Sequence, residues 1–233
     1  SANTDGDIAS TVSANTTSGF SIVSYTGTGA NATVGHGLGA NMDFAIFKLR
    51  SGANSWLVYH KSLGATKAIY LNETGAVGTN SSGFNNTEPT SSVFSLGSGA
   101  AANTSSGTNI AYCFAEKQGY SKFGSYTGNG NADGTFVYTG FKPAFLMVKR
   151  TDSSSSWYLY DNKRDTSNLT SHTLQPNTSA AEENFTVANA FNLDLISNGF
   201  KLKSTNGVVN ASGGNYIYMA FAENPLVGTN NIP

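Results

Sequence analysis

The side chains of this 233-residue chain that could do chemistry are few: three histidines (His36, His60 and His172), one cysteine (Cys113) and fourteen acids. Nucleophilic catalysis needs a hydroxyl or thiol, a base within hydrogen-bond reach and a third group that orients the base. The histidines stand in Gly-His-Gly, Tyr-His-Lys and Ser-His-Thr contexts, and no Gly-x-Ser-x-Gly elbow occurs. About a hundred residues downstream the same phrases return, and there Asp161 takes the place of His60. His60 therefore reads as a surface or strand-end histidine, and no catalytic residue is assigned. Glycoside hydrolysis would need two carboxyl groups about 5–10 Å apart. The repeat-related acids are Glu116 and Glu223, each closing an apolar run after Phe-Ala. They read as strand-ending carboxylates paired with a lysine or arginine of the same copy. Cys113 lies in an apolar run and reads as a buried thiol.

Metal ligation has little to build on, since Cys-x-x-Cys, His-x-x-x-His and EF-hand spacings are all missing. The one weak calcium candidate is the loop Gly128–Gly134, where Asn129, Asn131 and Asp133 alternate. Tight turns select the same residues without a metal, and the first copy, Gly27-Thr-Gly-Ala-Asn31, lacks the aspartate. Gly35-His-Gly-Leu-Gly39 has neither the lysine nor the following helix of a phosphate loop. No cofactor is expected. Binding is left, and Trp56 and Trp157, each opening a strand after a polar loop, are the glycan-contact candidates. A strand-opening tryptophan is also a common core or interface anchor. Ten Asn-x-Ser/Thr sequons, among them Asn72, Asn103, Asn177 and Asn210, follow from the composition and are not read as glycosylation.

The elements that must hold these residues appear twice. Ser24-Tyr-Thr-Gly27 returns as Ser125-Tyr-Thr-Gly128, and Phe44-Ala-Ile-Phe-Lys-Leu-Arg50 as Phe145-Leu-Met-Val-Lys-Arg150. Trp56-Leu-Val-Tyr59 returns as Trp157-Tyr-Leu-Tyr160, and Cys113-Phe-Ala-Glu116 as Ala220-Phe-Ala-Glu223. The shift is far longer than a solenoid period of about 20–50 residues, so a whole folding unit is read as duplicated. Each copy offers about seven short apolar or alternating runs broken by Gly, Asn, Asp or Ser. That density of strands indicates an all-β sandwich or barrel. Charged residues are 12%, about half the usual share, while 14 Phe, 11 Tyr and 2 Trp argue against disorder.

The expected fold is thus two tandem antiparallel β-sandwich units, jelly-roll-like and packed together across the four-residue linker Lys117–Tyr120. The alternative is one large two-sheet, concanavalin-like jelly roll. Residues 1–18 read as a polar opening segment or linker, 19–118 and 119–227 as the two repeats, and 228–233 as a C-terminal tail. Asn198-Gly199 is expected to turn a hairpin within Leu193–Lys203 by positive φ. Asn215–Glu223, apolar at nearly every position, suits a central strand covered on both faces. Only Thr178–Asn184 looks helical, with Ser179 and Glu182 at capping-box spacing. A net charge of −1 gives no footprint for nucleic acid, and no run of 18 apolar residues predicts a membrane span.

The phrases FSIVSYTGTG, VGHGLG, NSWLVYHK, AYCFAE, GYSKFGSYTGNG, DGTFVYTGFKPAF and GGNYIYMAFAENP resemble a domain repeated in virion-associated proteins of tailed bacteriophages, marine ones above all. The resemblance covers residues 19–227. It implies a non-enzymatic structural protein of the particle surface: a tail fibre, appendage or capsid decoration. It further implies an adhesive role toward a host-surface polysaccharide or another virion protein, and assembly into a trimer or other cyclic homo-oligomer. A purely structural cement subunit and a polysaccharide-degrading appendage enzyme are the alternatives. The polar start and the Asn-Pro-Leu ending look like a portion near the C-terminus of a longer polypeptide.

Overall fold

The computed structural model describes residues 1–184 and 191–224, and in them the chain is all-β. It divides into two units, the first comprising Ser1–Glu73 with Val77–Glu116, the second Thr74–Ala76 with Lys117–Pro233. The expected tail, 228–233, lies outside the described residues.

In unit 1 the strands are β1 (Ala2–Asn3), β2 (Ser10–Asn15), β3 (Phe20–Thr26), β4 (Ala32–Gly35), β5 (Phe44–Leu49), β6 (Leu57–His60), β7 (Lys67–Tyr70), β8 (Gly78–Thr79), β9 (Val93–Leu96) and β10 (Thr108–Phe114). Two single-turn helices, α1 (Ser81–Phe84) and α2 (Ala100–Asn103), lie between them. One antiparallel sheet runs β1-β2-β3-β10-β5-β6-β7-β8, and a second pairs β4 with β9. In β3, alternation drives Ser21, Val23 and Tyr25 inward. Across the sandwich, Phe94 of β9 meets Phe47 at 5.0 Å and Tyr25 at 5.9 Å between ring centroids.

Unit 2 repeats this order. Its strands are β11 (Ser121–Thr127), β12 (Phe136–Tyr138), β13 (Pro143–Arg150), β14 (Trp157–Asp161), β15 (His172–Thr173), β16 (Glu183–Asn184), β17 (Leu193–Ile196), β18 (Gly199–Leu202) and β19 (Asn215–Ala222), with one helix, α3 (Gly207–Asn210). The sheet β11-β19-β13-β14 matches β3-β10-β5-β6, and β12-β18-β17 forms the facing sheet. Phe200 of β18 fills the gap, 5.3 Å from Tyr218 and 5.9 Å from Tyr126. As its composition predicts, β19 is central, with residues 216–220 buried.

Three expectations need correction. Residues 1–18 are not a bare linker: β1 and β2 add to β3, with Ile8 and Val12 buried in the unit 1 core. Ile8 and Val12 are its only sizeable apolar anchors, and most of its other side chains are polar and face outward, so the sequence looks unstructured. Residues 178–184 form no helix. Glu182 is drawn instead to Arg164 (2.5 Å), and Glu183–Asn184 pairs with His172–Thr173, so tertiary partners outcompete a two-turn helix. The hairpin at Leu193 does form, but Ile196 pairs with Gly199, so Ser197-Asn198 makes the turn and neither Asn198 nor Gly199 has positive φ. Gly199 is required for space instead, since a Cβ there would lie 2.1 Å from Val137 O of the neighbouring strand.

Candidate interaction site

The residues marked for chemistry are mostly committed to the scaffold. His36 is buried, with Nε2 3.1 Å from Thr90 O while Nδ1 accepts from Leu38 N, and burial pushes its pKa down. That pattern fits a neutral ring protonated on Nε2. His60 is buried at the end of β6, where Nδ1 accepts from Ser62 N. His172 Nδ1 lies 2.6 Å from Asp165, whose other oxygen accepts the Ser171 and His172 amides. Cys113 is buried, and burial pushes its thiol pKa well up, away from a reactive thiolate. Glu116 pairs with Lys61 at 2.6 Å and Glu223 with Lys142 at 2.9 Å, each within its own unit.

The calcium candidates serve the same structural purpose. Asp133 faces Lys201 at 2.8 Å. Asn129 Oδ1 accepts from Asn131 N and from the side chain of Asn210. Asn210, wholly buried, donates from Nδ2 to Asn129 Oδ1, Asn131 O and Ser204 O, and accepts from Asn129 N. An amide thus sits among the loop oxygens where a cation would have to sit. Among the described residues no group of three or more His, Cys, Asp or Glu could hold a metal. Unit 1 builds the same knot with Asn103, which donates to Ala30 O and Gly97 O and accepts from Thr28 N. The sequence offered Asn103 and Asn210 only as sequon members. Asn72 and Asn177 are the same kind of residue, each accepting the backbone N–H of the tryptophan that opens a strand, Trp56 and Trp157 respectively.

Neither tryptophan is presented as a sugar platform. Trp157 is buried, a correction to its glycan-contact reading: the strand it opens packs both faces. Trp56 is half-buried, with Lys48 Nζ 5.7 Å above its ring.

The exposed aromatics lie elsewhere, on β12. Phe136 is 44% exposed and Tyr138 64%, while Val137 between them points into the core. Register places them on one small face: Phe136, Lys201 and Asp194 form one row, and Tyr138, Gly199 and Ile196 the next. The glycine is buried, with the Phe136 ring over the place its side chain would take, and the first row carries a lysine and a carboxylate. Such a face can stack on a flat apolar ligand surface and hydrogen-bond at its rim.

The family model for a domain of unknown function, DUF7483, matches residues 1–225. The chain belongs to this family. The match runs through both units, so the DUF7483 domain comprises the two sandwiches together. No curated protein and no solved structure matches the chain. Within this DUF7483 domain the β12 face was missed by the sequence, where 136–138 is one of several short alternating runs. The available signal was Phe-Val-Tyr alternation, which does not say whether valine or the aromatics point inward.

Proposed function

We propose that this protein is a non-enzymatic structural and adhesive module of a tailed-phage particle, exposed on the particle surface and binding a host-surface glycan through the outer face of β12-β18-β17. The observation that carries the adhesive reading is the pair Phe136 and Tyr138, large aromatics left exposed on a flat sheet face beside Lys201 and Asp194. Sugar rings present C–H faces that stack on aromatic rings, and hydroxyls that meet charged and polar groups at the rim. The phage setting rests on the sequence phrases quoted above. Binding of the purified chain to host cells, competed by soluble host polysaccharide, tests the reading. The double substitution Phe136→Ala/Tyr138→Ala is expected to weaken binding about tenfold or more with an unchanged melting temperature, since both side chains are exposed. Binding that excess polysaccharide does not displace sinks the glycan reading and directs attention to a protein partner. Release of reducing ends from host envelope material would make the protein an enzyme instead.

A further inference from the structure

The two units treat one sheet edge differently. In unit 1, β4 pairs with β9 on one side and is covered on the other by the N-terminal segment. Thr33 N donates to Asp7 Oδ2, Thr33 O accepts from Ile8 N, and Gly35 O accepts from Ser10 Oγ. Gly35 has no room for a side chain, because a Cβ there would lie 1.7 Å from Asn3 Oδ1. The corresponding strand of unit 2 is β12, aligned through Phe94 and Phe200, which occupy the same place against Tyr25 and Tyr126. There Thr33 is replaced by Phe136, and Gly35 by Tyr138. Among the described residues β12 pairs with β18 alone, and the Lys117–Tyr120 stretch that leads into β11 is too short to supply a comparable cover.

Strand geometry fixes what the open edge offers. Thr135 O accepts from Leu202 N and Thr139 N donates to Asn198 O, so the odd-numbered residues bond inward to β18. Alternation then turns the N–H and C=O of Phe136 and Tyr138 outward. Two donors and two acceptors flank a central Val137, an arrangement that is its own complement under a two-fold rotation. Unpaired strand backbone of this kind templates further pairing.

We propose that β12 pairs antiparallel with β12 of a second copy, forming an isologous dimer about a two-fold axis beside Val137. Phe136 of each copy lies opposite Tyr138 of the other, which closes four main-chain hydrogen bonds. The facing sheets join into six strands, β17-β18-β12 continued by β12-β18-β17 of the second copy. Because opposite residues of an antiparallel pair share a face, Phe136 and Tyr138 of both copies make one continuous four-ring surface. The dimer stands on the edge geometry and does not depend on the ligand proposed above.

Sedimentation velocity of the full chain over a range of concentrations tests it. The wild type is expected to shift from monomer to dimer as concentration rises. Tyr138→Pro removes an outward N–H and no bond to β18, so it is expected to weaken association by about tenfold or more while the circular dichroism and melting temperature stay as in the wild type. Oxidation of the double variant Phe136→Cys/Tyr138→Cys is expected to give a covalent dimer linked 136 to 138, with buried Cys113 unreacted. Wild-type protein that stays monomeric throughout, a dimer that Tyr138→Pro leaves intact, or a cysteine variant that forms no 136–138 link would overturn the proposal. A wild-type protein that dimerises but binds no host polysaccharide would count against the adhesive reading alone.

Discussion

Asn210 organises the loop between β11 and β12 from inside. Its buried amide group reaches three acceptors at 2.7–3.1 Å, Ser204 O among them in the interior, and its oxygen takes the Asn129 amide at 2.9 Å. Removing it leaves the buried Ser204 carbonyl without this donor, a loss of about 1–3 kcal/mol, and undoes the three contacts that hold the Asn129–Asn131 loop. Asn210→Ala is therefore expected to destabilise by roughly 2–4 kcal/mol in a denaturant titration. An effect within about 0.5 kcal/mol of zero, as at an ordinary surface site, would contradict this role. Lys149 is the second residue whose burial has a consequence. Its ammonium reaches only carbonyl oxygens, Thr74 O at 3.0 Å and Ser155 O at 2.5 Å, and burial lowers its pKa to about 8. An unfolded lysine holds its proton to about pH 10.4. Between about pH 8 and 10 the unfolded chain thus binds the proton that the native state has released, and native stability rises with pH. Replacing the lysine, as in Lys149→Met, removes that slope. The unfolding free energy of wild type minus variant should climb from pH 8 to 10, and a flat difference would refute the assignment. Burial raises the pKa of Tyr25, Tyr126 and Tyr160 in both proteins, so their contribution cancels in the difference.

At the scale of elements, the facing sheet of unit 2 depends on close backbone approach. Gly199 sits in β18 under Val137 O, 2.1 Å from where a Cβ would stand, with the Phe136 ring at 3.1 Å. Gly199→Ala must push β12 away from β18, and overpacking of this kind costs about 1–3 kcal/mol. Faster amide exchange at Val137 and Thr139, whose N–H groups face β18, than in β11 or β19 would accompany it, and unchanged exchange there would argue against the contact. Much of this layer was legible in the sequence. Period-2 alternation placed β3 and β11, and the unbroken apolar run placed β19, because those patterns reflect local geometry and the number of buried faces. The turn of the hairpin was misassigned by one residue, since Asn-Gly signals positive φ only when the steric demand is local. Here the glycine answers a neighbouring strand. The helix expected at 178–184 failed for a similar reason, as its capping glutamate found Arg164, a partner 18 residues away.

At the scale of the whole molecule, the two units have separate cores that share one ring contact, Tyr25 on Phe94 in the first and Tyr126 on Phe200 in the second. The chain's sequence by itself determined the all-β class, the central strand β19, and the structural use of Cys113 and of both strand-ending glutamates. These depend on periodicity and composition along short stretches. Tertiary structure alone decided which alternating face is core, and so buried Trp157 while exposing Phe136 and Tyr138. It alone decided that Asn103 and Asn210 are interior ties, and that an N-terminal segment with two apolar anchors closes the edge of β4 while, among the described residues, β12 pairs with β18 alone. Pairing partners and burial are set by residues tens of positions apart, and a period of two reads the same whichever phase faces inward.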